Sequence, residues 1–171
     1  FAEDAKVRDQ AARALIEIVE NLPDKEKHTV LRGIAGKLLD WIKLETLATP
    51  AYRKICGFLR DHVNHLIWQD DFHAAIPILD FFNDVRTGVV EKNDTIHEIS
   101  VDFIDACASD ERIAILFNIF KEGEPDQKRD AGEMLIRLGD DAMNQLLDLL
   151  KEQRDSNERV RIMRLIISAG R

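Results

Sequence analysis

Apolar side chains recur along this chain at spacings of three and four, the period of a helix with one face turned to a core. From Glu3 to Leu22 the stripe is Val7, Ala11, Leu15, Ile18 and Leu22, and Pro23 ends it. Asp24 can cap a second helix reaching about Leu47, with Val30, Leu31, Ile34, Leu38, Trp41 and Ile42 on its buried side. Thr49-Pro50 is an N-cap followed by proline at the first helical position, where its missing N–H is not needed. The third helix therefore starts there and carries Tyr52, Ile55, Cys56, Leu59, Val63 and Leu66. Asp70 or Asp71 can cap a fourth, with Ala75, Ile76, Leu79, Phe82 and Val85; Pro77 should bend it and Thr87-Gly88 should close it.

The pattern continues to the end. Asp94 opens a helix with Ile96, Ile99, Phe103, Ile104 and Cys107, and Ser109 caps another with Ile113, Leu116, Phe117 and Phe120, stopped at Glu122-Gly123. Glu124-Pro125 starts a helix with Ala131, Leu135 and Leu138, Gly139 ends it, and Asp140 starts its partner with Met143, Leu146, Leu147 and Leu150. A ninth helix covers Asn157 to Ala169. Nine helices with short connections predict an all-α domain of four consecutive hairpins and half of a fifth. The opening at Phe1 without Met and the helical pattern still running at Arg171 suggest an excerpt of a longer chain.

Asp126, Arg129, Ala131, Leu135, Leu138, Gly139, Asp140, Ala142, Leu146, Leu149 and Leu150 together resemble the HEAT-repeat consensus. Asp155, Arg159 or Arg161, Ile162, Leu165, Ile166, Ala169 and Gly170 echo it one unit later, and Val7, Arg8, Ala11, Ala12 and Leu15 resemble its first-helix pattern. Ile76-Pro77-Ile78-Leu79 is similar to its second-helix pattern. The resemblance covers residues 124–170 most specifically, residues 70–123 less so, and it weakens earlier, where the hairpins are longer. It implies a right-handed α–α superhelix of the HEAT or armadillo type, with second helices lining a concave surface and repeat charges such as Asp126, Arg129, Asp155, Arg159 and Arg161 stacked in ladders between units.

Charge narrows the partners. With 24 basic and 32 acidic residues the formal net charge is −8, and the surplus acid lies mainly beyond Arg86, where 12 basic residues face 18 acidic ones. Such a balance argues against gripping phosphate backbones and hence against the DNA-glycosylase relatives of the repeat family, tempting as Trp41, Trp68, Asp70 and Asp71 are. Cys56 and Cys107 fall on apolar stripes and read as buried free thiols, consistent with a cytoplasmic, reducing setting. The related bilin lyases are therefore a weak analogy. No apolar run approaches the roughly 18 to 20 residues of a membrane span.

Candidate chemistry is thin. His62, His65 and His73 with Asp61, Asp70 and Asp71 form the densest set of metal-ligand types, but the spacing is that of no known metal motif. His97-Glu98 resembles one of the His-Glu pairs of deoxyhypusine hydroxylase, an iron enzyme of similar repeats, yet such an enzyme needs several pairs and this chain has one. The reading is therefore a non-enzymatic scaffold with no cofactor and no metal, binding a basic or amphipathic protein segment on an acidic concave strip. The residues expected there are Asp71, Asp80 and Asp84, then Asp110 and Glu111, then Asp141, Asn144, Gln145 and Asp148. A HEAT-like enzyme or an intramolecular spacer is the alternative. Apolar residues cover well over half of the last helix, so Ile162, Leu165 and Ile166 are expected to need a further helix or a second copy of the chain over them.

Overall fold

The computed structural model describes residues 2–169, with Ala2, Glu3, Asp141, Ser168 and Ala169 described by backbone alone. Among the described residues the structure is all-helical, with nine helices and no strand. They are α1 (Ala2–Glu20), α2 (Asp24–Leu44), α3 (Pro50–Trp68), α4 (Phe72–Arg86), α5 (Asp94–Cys107), α6 (Asp110–Glu122), α7 (Pro125–Arg137), α8 (Asp140–Glu152) and α9 (Ser156–Ala169). No helix among them is long and apolar enough to cross a membrane.

Local chemistry explains the starts. The Thr49 side chain accepts the Tyr52 N–H while Pro50 occupies the first turn of α3. Asn93, directly before Asp94, accepts the Ile96 N–H of α5 at 2.9 Å. At α7, Glu124 and Gln127 close a reciprocal capping box. Asp155 caps α9 by accepting from the Asn157 and Glu158 N–H groups, both at 2.9 Å. Three expected caps act otherwise: Pro23 occupies the cap position of α2, leaving Asp24 in the first turn, and Asp71 and Ser109 precede α4 and α6 without a side-chain cap hydrogen bond. Pro77 lies within α4, which runs unbroken from Phe72 to Arg86. The second helix ends at Leu44, short of Leu47, because a distant segment ties its last turn down. Lys92 Nζ donates to the carbonyls of Lys43 at 2.7 Å and Glu45 at 2.8 Å, and Asn93 Nδ2 donates to that of Thr46.

One continuous core runs from Ala12 to Ile162. Its densest stretch is α3 and α4, where Tyr52, Ile55, Leu59, Val63, Leu66, Leu79 and Phe82 are fully enclosed and the Phe82 ring stacks on Phe103 of α5 at 3.7 Å. The first helix turns a different face inward than its apolar spacing suggested. Ala12, Leu15, Ile16 and Val19 meet the core, while Val7 and Ile18 are 60% and 62% exposed.

Along the chain the closest packing is of α6 with α7, α4 with α5 and α2 with α3, each one helix off the expected hairpins, while α3 also lies close to α4 as the expected second hairpin requires. The fifth and sixth helices, expected to form a hairpin, are not a close pair; α6 and α4 both pack on α7 instead. Odd-numbered helices also stack directly, α1 on α3, α3 on α5, and α7 on α9. Gly132 permits the last of these. A Cβ on it would fall 2.7 Å from Leu165 Cδ1 and 3.1 Å from the Phe120 ring, so a side chain there would make Leu165 shift for α9 and α6 to approach α7 this closely.

Candidate functional site

Two carboxylates of the acidic strip expected across successive second helices, Asp71 and Asp80, are taken by partners on distant helices. Asp71 pairs with Arg32 of α2. Asp80 pairs with Arg137 of α7, whose guanidinium also donates to the Glu133 carbonyl at 2.6 Å. Asp148 takes the Lys151 ammonium at 2.8 Å. Asp110 and Glu111 stand exposed in the first turn of α6, where their charge complements the positive helix end. Asn144 and Gln145 are exposed on α8, and the side chain of Asp141 lies outside the described residues.

Asp80 and Asp84 are nevertheless brought together. Pro77, Asp80, Phe81 and Asp84 share one face of α4, and with Val90, Glu91 and Lys92 of the following connection and Lys43 of α2 they line an open groove of about 550 Å³. The Val90 N–H donates to the Asp84 carbonyl at 3.0 Å, holding the connection against the end of α4. Lys92 is withdrawn into the carbonyls that end α2, and burial lowers its pKa. Asp84 and Glu91 carry no ion pair among the described residues, and neither does the Lys43 ammonium, so two open carboxylates and one open cation rim an apolar strip of Pro77, Phe81 and Val90. Phe81 forms the wall, being only 5% exposed; Pro77 is open to solvent. Glu91 and the tie formed by Lys92 come from a loop that helical periodicity leaves unread.

The other constellations resolve into structural roles. Among the described residues no three His, Cys, Asp or Glu side chains converge closely enough to hold a metal ion. His73 is exposed on α4, whereas His65 stacks on His28 of α2, a partner the spacing within one helix could not reveal. His97 bonds through Nε2 to the Arg86 carbonyl at 3.1 Å. Trp41 packs half-buried against Tyr52, and Trp68 stands exposed. Cys56 and Cys107 are buried free thiols, each pushed up to about 12 by burial.

The expected charge ladder takes another form. Arg129 pairs locally with Asp126 and Asp130, both at 3.0 Å, and Asp155 is spent on the α9 cap. The cross-helix bonds are made to backbone: Arg159 donates to the carbonyls of Leu150 at 2.7 Å and Gln153 at 2.9 Å, and Arg161 reaches the Phe120 carbonyl while lying 4.5 Å from the centre of its ring. Of the C-terminal trio, Ile162 is buried and Leu165 and Ile166 are half-buried against the core, because α7 and α8 both close over that side. The apolar residues left open on α9 are Val160, Met163 and Ile167.

The chain matches no protein-family model, and neither a curated protein nor a solved structure matches it.

Proposed function

We propose that this chain is a HEAT-like helical-repeat module without catalytic activity whose α4 groove receives a basic segment of a partner protein. The observation that carries the reading is the convergence of Asp84 and Glu91, two carboxylates without an ion pair among the described residues, on an apolar strip in one open groove. Cationic side chains of a partner would meet that rim while its apolar residues pack on Pro77 and Val90, the usual division between steering charge and buried anchor. A superhelical stack is supported by direct packing of α1 on α3 on α5 and of α7 on α9, and by the Pro125–Gly139–Asp140 punctuation of the later units. The departure from regular stacking is α7, which packs on α4.

A library of basic and acidic peptides panned on the purified chain tests this. Basic sequences should be enriched, should compete with one another, and should bind at least about tenfold more weakly to the double variant Asp84→Lys, Glu91→Lys or when salt rises from about 0.05 to about 0.5 M. Enrichment that ignores charge, or binding unchanged in the variant, would remove the groove from consideration.

A further inference from the structure

A second site lies between α2 and α3 and has the opposite electrostatic character. Lys25, His28 and Arg32 line a cleft of about 400 Å³ from the α2 side, His62 and His65 from the α3 side, and Thr29, Leu66 and Gln69 complete it. No carboxylate is among these lining residues. The His28 and His65 rings lie face to face, 3.8 Å between centres and 9° from parallel. His62 is 2% exposed, and neither its Nδ1 nor that of His28 has a hydrogen-bond partner among the described residues. Buried polar nitrogens are rarely left in that condition, and here two of them adjoin a cleft walled by fixed and latent positive charge.

We propose that this cleft binds a tetrahedral oxyanion of the phosphate-monoester class, held by Lys25, the imidazoles of His28 and His65 and the amide of Gln69, and that binding is coupled to proton uptake by His65. A metal ion does not suit the same residues: among the described residues no three metal-ligand side chains converge, and Lys25 and Arg32 repel a cation. Arg32 is tied to Asp71 at the start of α4, which leaves Lys25 as the lining cation with no ion pair among the described residues. Burial, then His65, His28 and Arg32, hold His62 down to about 4, with Asp71 as the opposing influence. Burial, then His28 and Arg32, lower His65 in the same sense. A bound dianion reverses the repulsion, so the bound-state pKa rises above the free one. By linkage, the gain in affinity is fully present below the free-state value, declines as pH rises from there, and is lost once pH has passed the bound-state value.

Sulfate tests the site cleanly, because its charge is constant where a phosphate ester titrates near pH 6. Imidazole resonances followed by NMR should shift saturably with sulfate, and affinity should be severalfold higher at about pH 5.5 than at about pH 7.5, where raising one histidine by about one unit sets a ceiling of about tenfold. Methyl phosphate should compete for the same resonances. Lys25→Ala and His65→Gln, checked for unchanged helix content by circular dichroism, should each weaken binding at least about tenfold. Shifts that rise linearly without saturation, affinity independent of pH, or binding unaffected by both variants would overturn the proposal. None of these measurements involves the α4 groove.

Discussion

Gly139 sits at φ +94°, a backbone region that side chains with a Cβ rarely adopt, and a Cβ there would also come within 2.9 Å of Arg86 Nη1. Gly139→Ala should therefore lose about 1–3 kcal/mol, read as a lower urea midpoint at unchanged slope. Arg86→Ala in the same background should recover part of that loss by removing the clash and leaving the backbone strain. His62 supplies a second test at this scale. Its folded-state pKa is depressed from 6.5 to about 4, so the unfolded chain binds more protons between those values. Stability should be fully present above pH 6.5 and fall as pH drops toward about 4. His62→Leu should flatten that acid limb in pH-dependent unfolding. The two thiols act at the other end: raised to about 12, they should resist alkylation at pH 8 until the chain unfolds, and stability should decline as pH climbs above 9 toward 12. At this scale the sequence shows Gly139 as a helix stop and both cysteines as buried. It could not show that Arg32 and Arg137, 39 and 57 positions from Asp71 and Asp80, would occupy those carboxylates.

Helix starts were legible because caps and prolines act within a few residues of themselves, as at Thr49-Pro50 and Glu124-Pro125. Replacing Thr49 by Ala should cost about 1 kcal/mol by leaving the Tyr52 N–H without its side-chain acceptor, measurable by thermal or chemical unfolding. Which face of a helix turns inward was legible only where its apolar residues are numerous. On α1 a stripe through Val7 and Ile18 competes with one through Ala12, Ile16 and Val19, Leu15 lying between them and packing on the core as expected, and tertiary packing chose the second. Gly132 is the case where helix propensity and packing pull in opposite directions. An alanine there favours the helix by about 1 kcal/mol while pressing on Leu165, whereas Gly132→Val should destabilise by about 1–3 kcal/mol because its extra methyls meet both Leu165 and Phe120. Unfolding of the two variants side by side separates propensity from crowding.

The order in which helices pack was the least legible property, since a short connection shows that two helices are neighbours without showing how closely. Close approach is tightest in α6–α7, α4–α5 and α2–α3, with α3–α4 next, and the seam between the earlier and later helices is made by α4 against α7. Asp80–Arg137 and the Arg86–Gly139 contact both lie on that seam. Arg137→Ala should consequently raise amide hydrogen exchange in α6 to α9 more than in α2 and α3, because α5 and α6 provide no close contact to take over. Uniform acceleration across all helices would mean that the chain opens as one unit. Seen mechanically, α4 against α7 is a joint inside one continuous core, and it shares a carboxylate with the α4 groove. Arg137 meets Asp80 through Oδ1 alone, which leaves Oδ2 for a visiting cation, so an occupant of the groove would extend the ion pair across the seam.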